Sequence, residues 1–166
     1  LDGGQAARFE RELVREKKLA AGIGIDYSAV ARSPSLLMIE ATPANGHTVA
    51  ELEQAIRAQI ERIKKEPVTA EELKRVKAQV VASNVFSRDS VFYQAMQIGR
   101  LAAVGLDWRM IDDYPEKLMA VTAEQVQTVA RKYLVDAHLT VAVLDPQPIG
   151  KGQRRMPRPR GGGDVR

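Results

Sequence analysis

The residues of this chain nearest to hydrolytic chemistry are His47 and His138, and they stand 91 positions apart. A catalytic zinc site needs about three protein ligands, usually with histidine among them. No H-E-x-x-H or H-x-x-E-H run exists to place two imidazoles and a glutamate on one helix face. His47 precedes a helix cap and His138 precedes an apolar run, so both read as exposed boundary histidines. Asp112 and Asp113 offer a carboxylate pair, but neighbours on a helix point in different directions. There is no cysteine, which excludes disulfides, thiolate zinc sites and cysteine nucleophiles. A serine triad lacks both its G-x-S-x-G elbow and a recognisable serine partner for either histidine. Gly3-Gly4 and Gly22-x-Gly24 do not spell a phosphate loop; they read as a turn and as close strand packing. The 166 residues therefore hold no catalytic or metal-binding constellation of their own.

Charge invites a second chemistry. From Gln147 onward six Lys and Arg stand against Asp164 alone, so the tail carries +5 and the remainder −1 of the net +4. The tail could meet phosphates. It has no aromatic to stack on bases, and the nearly neutral body does not extend the patch, so no nucleic-acid partner is expected. Residues 147–166 read as a basic Pro/Gly/Arg-rich disordered tail. No run approaches the roughly 18 apolar residues of a spanning helix. With 45% hydrophobic residues, positions 1–146 read as one globular domain with its own core.

The elements that must position any site are well punctuated. Gly3-Gly4 feed a charged amphipathic helix with Phe9, Leu13 and Ala20 near one face, and Ala6 a turn earlier. Residues 21–31 alternate as a strand: Ala21, Ile23, Ile25 and Tyr27 share one face, Gly22, Gly24 and Asp26 the other. Arg32–Ser35 turn the chain into a returning strand, Leu36–Thr42. Capping boxes at Thr48/Glu51, Thr69/Glu72 and Thr122/Gln125 open three helices, and Glu71 is placed to pair Arg75. Ser90–Val104 is a further helix with a mostly small face, Asp107 caps a short one, and Pro115 is expected to begin the next. Leu139–Leu144 is predicted to be a strand buried on both faces. The order predicts α+β: an antiparallel sheet with helices packed on one face. Three strands make a thin sheet, so partner strands are expected from residues before Leu1 or from another domain.

This punctuation resembles the C-terminal halves of pitrilysin/insulinase-type zinc metallopeptidases, the superfamily of mitochondrial processing peptidase. The resemblance rests on L-D-G-G-Q-A-A-R-F-E-R-E-L-V-R-E-K-K-L-A-A (1–21), E-A-T-P-A-N-G (40–46) and E-P-V-T-A-E-E-L-K-R-V-K (66–77). Further on it rests on G-L-D-W (105–108), V-T-A-E-Q-V-Q-T-V-A-R-K-Y-L (121–134) and T-V-A-V-L-D-P (140–146). It implies one half of a clamshell, incomplete at its N-terminus, that closes around a peptide substrate. Its partner would be a zinc-bearing N-terminal half or subunit, in a homo- or heterodimer. The cofactor, zinc, would belong to that missing half, and this chain alone would be inactive. Many relatives supply an Arg/Tyr pair from the C-terminal half to hold substrate. Arg15 is the nearest remnant of that arginine, whereas Ala21 stands where the tyrosine is found, and Tyr27 is expected in the core. The resemblance implies a chain that contributes chamber wall and interface to a metallopeptidase, in the periplasm or otherwise the cytoplasm. The alternative is a non-catalytic scaffold or assembly subunit of the same superfamily.

Overall fold

A computed structural model describes residues 1 and 3–147. The tail from 148 onward, expected to be disordered, lies outside the described residues. The chain opens with a turn in which Gly3 and Gly4 take φ of 125° and 103°, open to glycine and resisted by other residues. A π-helix follows over Phe9–Glu16. Strand β1 (Ala20–Asp26) and strand β2 (Met38–Pro43) form an antiparallel pair. Helices α1 (Val49–Lys65), α2 (Ala70–Ser87), α3 (Val91–Ala103), α4 (Met110–Ala120) and α5 (Ala123–Tyr133) complete the α+β order.

The core sits between the π-helix, the inner face of the strand pair and the start of α1. Phe9, Leu13, Ala20 and Leu52 are buried there, with Ile23, Ile25, Ile39 and Ile56 packed against them. Phe9 and Leu13 have no meaningful exposure, and burying each side chain contributes about 1.5–3 kcal/mol. A smaller contact joins α1 to α5 through buried Ile63 and Ala130. There Arg131 donates to the Lys64 carbonyl at 2.7 Å, and Arg57 pairs with Asp136 at 2.9 Å. Val129 and Tyr133 of α5 are more than half exposed, and the small Ala130 is the buried residue of that helix.

Polar groups share the buried face of the π-helix. Arg8, immediately before it, is 4% exposed and donates Nε and Nη2 to the two Glu72 oxygens of α2, both at 2.8 Å. Glu12 is also buried. It accepts from Gln59 at 2.6 Å and from Arg62 at 2.9 Å, both on α1, and from Arg11 at 2.9 Å. The Arg8 guanidinium holds the Glu72 carboxyl below its ordinary 4.5, against the opposing effect of burial. Burial pushes Glu12 up, but the donors from Arg11, Gln59 and Arg62 together outweigh it and hold this carboxyl low as well.

The structure corrects several expectations. Thr48/Glu51 and Thr122/Gln125 are complete capping boxes, but Thr69/Glu72 is half of one. Thr69 accepts from the Glu72 amide at 3.1 Å, while the Glu72 carboxylate has left for Arg8. Arg75 donates to the Ala6 carbonyl at 3.1 Å, away from Glu71. Pro115 lies inside α4 and does not begin it. Proline cannot donate to the carbonyl four residues back, and Arg88 reaches that freed carbonyl of Ile111 at 3.5 Å. The small face of α3 is open to solvent: Phe92 is 79% exposed, and Leu101 is the buried residue of that helix. Leu139–Leu144 forms no strand among the described residues, and Leu144 is 87% exposed. The run has strand-forming residues but pairs with neither β1 nor β2, and a strand needs a partner.

Replacing Glu72 by Gln leaves a buried guanidinium without its counter-charge, which typically costs about 3 kcal/mol. Urea unfolding of Glu72→Gln is expected to show that loss as a lower midpoint at unchanged slope, and the double variant Arg8→Met/Glu72→Leu to recover most of it. Acid gives an independent reading of the two carboxylates. Both have lower affinity for protons when folded, so the unfolded chain binds more protons as pH falls. Their stabilisation is complete above the ordinary value of 4.5 and is lost as pH drops through the two depressed values. Glu12→Gln should flatten that acid limb in a pH series of thermal melts.

Candidate functional site

Tyr27 lies beyond the end of β1, while Arg15 and Ala21 flank the exit of the π-helix. There Lys17 donates to the Glu12 carbonyl at 3.0 Å and Leu19 to the Leu13 carbonyl at 2.8 Å, which closes the last turn. Lys18 lies between them at φ 53°, the left-handed region that favours glycine. The chain then enters β1, where Ala20 pairs with Pro43 and Gly22 with Thr42. Two steps on β1 thus oppose one on β2, and Ala21 is the extra residue of a β-bulge.

The bulge sets the faces of the strand. Ala20 joins Ile23 and Ile25 on the buried side, 3% exposed, and Ala21 is exposed. Simple alternation had put Ala21 inside and Ala20 on the preceding helix. Beyond the bulge the outer face pairs Gly22 with Thr42, Gly24 with Glu40 and Asp26 with Met38. These residues line an open trough of about 590 Å³.

Arg15 sits in the last turn of the π-helix, with its side chain 49% exposed, and donates Nε to Glu10 Oε1 at 3.3 Å. The wider turn brings residues five apart to the same side. Tyr27, expected in the core, is 58% exposed because β1 ends at Asp26 and the chain leaves the sheet. Ser28 and Ser35 shape the loop that follows: Ser35 Oγ donates to the Ser28 carbonyl at 2.7 Å. Ala21 offers a methyl group at the position where the resemblance finds a phenol, so no oxyanion donor stands there.

The remaining titratable candidates do not converge. His47 Nδ1 lies 3.7 Å from Glu51 Oε2 at the start of α1, and His138 is exposed in a short 3-10 turn, Asp136–His138. Asp112 faces Arg88 at 3.6 Å and Asp113 faces Lys117 at 3.3 Å, so the adjacent aspartates turn apart. Among the described residues no three His, Cys, Asp or Glu side chains form a group that could hold a metal ion. The donor set does not fit zinc. No helix of the described residues is long and apolar enough to cross a membrane. A cleft of about 180 Å³ between α2, α3 and α4 is lined by Asn84, Tyr93 and Trp108.

The model of the peptidase M16 inactive domain matches residues 1–80, the segment that contains the π-helix, the bulge, both strands and the first long helix. No curated protein sequence matches the chain. Among solved structures it is similar to a protease from Helicobacter pylori, with a TM-score of 0.75 and 22% identity over 81% of this chain. The chain spans 32% of that protein. It is similar to a candidate zinc protease from Bordetella pertussis Tohama I, with a TM-score of 0.75 and 23% identity over 89% of this chain and 80% of that one. A third likeness is to the inactive peptidase domain of a candidate zinc protease from Bordetella parapertussis, with a TM-score of 0.71 and 23% identity over 87% of this chain and 78% of that one. At these identities the likeness is one of fold. The α+β arrangement predicted from the element order is the fold of these domains. The family match covers the same opening stretch from which the resemblance was first drawn.

The left-handed Lys18 is the strained joint of this site. A non-glycine residue in that region costs roughly 1–2 kcal/mol, so Lys18→Gly is expected to stabilise the protein by about 1 kcal/mol. For a domain of this size that raises the melting temperature by roughly 2–4 °C. Lys18→Ala, which keeps the Cβ, should not reproduce the gain.

Proposed function

We propose that this chain is the C-terminal, metal-free domain of a zinc metallopeptidase that hydrolyses peptides. It walls the chamber and buries an interface with a zinc-bearing half, whose metal would activate water for peptide hydrolysis. The observation that carries this reading is the match of residues 1–80 to an inactive peptidase domain, joined to a fold shared with domains of candidate zinc proteases. In this reading Arg15, half-exposed in the last turn of the π-helix and paired with Glu10, gives substrate a charge contact. One observation favours a second reading, a non-catalytic scaffold subunit: Ala21 replaces the phenol that many relatives use to hold the reacting carbonyl.

The test is peptide hydrolysis by the complete protein or complex that contains this chain, purified with zinc and assayed on unstructured peptides. Hydrolysis that stops with a chelator and returns with zinc supports the enzyme; a zinc-loaded complex with no hydrolysis supports the scaffold. Arg15→Ala should raise KM about fivefold with little change in kcat, in keeping with an exposed charge contact of about 1 kcal/mol.

A further inference from the structure

We infer that the outer face of the β1–β2 pair is a docking surface for an extended peptide that carries a lysine or arginine beside an apolar residue. This rests on the peptidase reading above and gives the class of peptide that its chamber receives.

Gly22 and Gly24 lie two apart, so both face outward on β1, each opposite a larger residue of β2, Thr42 and Glu40. Glycine inside a strand weakens it and marks a bulge, a bend or a close approach by another backbone or ligand. The bulge is already supplied by Ala21, and neither glycine has a positive φ. A Cβ built on either one meets nothing among the described residues within 4 Å. Packing among the described residues therefore does not require these glycines. Their bare backbone floors the open trough of about 590 Å³.

The trough carries a carboxylate from each strand and is apolar at one end. Asp26 and Glu40 are diagonal neighbours on the same face, Asp26 opposite Met38 and Glu40 opposite Gly24. Like charges at such positions repel. Among the described residues neither carboxylate has an ion-pair partner, although thirteen ion pairs form elsewhere. Met38, 46% exposed, presents an apolar surface next to them. Two features that weaken an isolated hairpin thus coincide on one open face, and a single occupant answers both. An extended backbone can lie close over the glycines, a cationic side chain can bridge Asp26 and Glu40, and a neighbouring apolar side chain can cover Met38. Charge complementarity selects a basic peptide over a neutral or acidic one.

The probe is a fluorescently labelled ten-residue peptide alternating Arg with Leu and Thr, titrated with the full chain and read by anisotropy. Its counterpart carries Glu in place of Arg. The Arg peptide is expected to bind at least tenfold more tightly than the Glu peptide and to weaken with salt. Gly24→Val fills the trough with a strand-favouring side chain in open space, so its melting temperature should hold or rise while peptide affinity falls at least tenfold. Asp26→Asn/Glu40→Gln should lose the preference for Arg over Glu. A folded Gly24→Val variant that binds as well as the parent overturns the inference, as does equal binding of the two peptides. A dimer that Gly24→Val dissociates overturns it in favour of a second copy. Peptide binding that appears only after residues 148–166 are removed overturns it in favour of the chain's own basic tail. Because binding is read without hydrolysis, an inactive complex that still binds the Arg peptide sinks the enzymatic reading and leaves the docking surface standing.

Discussion

The buried charges around the π-helix are the constraint on which the rest of the arrangement hangs. Helix α2 buries no residue completely, and Leu73, Val80 and Val81 are only half-buried, so its apolar anchorage is partial. Polar attachments add to it: Glu72 to Arg8, Arg75 to the Ala6 carbonyl and Lys77 to the Met119 carbonyl at 2.7 Å. Helix α1 is held differently, by Leu52 in the core and by Gln59 and Arg62 on the Glu12 carboxylate. One short stretch, Arg8 to Leu13, therefore seats two aromatic or aliphatic anchors and two charges that reach different helices. Removing half of such a buried pair is much worse than replacing both partners by apolar groups. This makes the pairing a device for fixing which helices meet the strand entrance.

The same stretch shows what the residues disclose and what they do not. Thr48 with Glu51 and Thr122 with Gln125 are legible because a capping box closes over three residues and depends on nothing distant. Thr69 with Glu72 has the same local signature, but its carboxylate finds a stronger partner 64 residues away. A bidentate pair with a buried guanidinium wins over a backbone amide at an exposed helix start. Pro115 illustrates a second kind of override. A proline at that position reads as a helix start, yet α4 continues through it, with Arg88 from α2's end covering the carbonyl it frees. In both cases the deciding partner is remote in sequence, and no local pattern carries it.

Strands were legible in their alternation and less so in their phase. Ile23 and Ile25 on one face and Gly22 and Gly24 on the other are where period two puts them. The error enters at Ala20 and Ala21, because two alanines in a row give no signal of which is the extra residue. The 139–144 run fails for a different reason. Its Thr-Val-Ala-Val-Leu composition suits a pleated, half-buried surface, but a strand exists through its partner, and the run pairs with neither strand of the sheet.

The bulge also explains why one strand can serve two masters. The inner face must meet Phe9 and Leu13, which favours isoleucine and a tight alanine. The outer face carries glycine, aspartate and glutamate, residues that a two-stranded hairpin would not select for its own stability. Because side chains alternate strictly, a one-residue slip would exchange these faces and expose the isoleucines. The extra residue at Ala21 is what lets the chain leave the strained Lys18 turn with Ala20 directed inward and still place Gly22 and Gly24 outward. The strained turn, the bulge and the bare outer face are thus one connected feature.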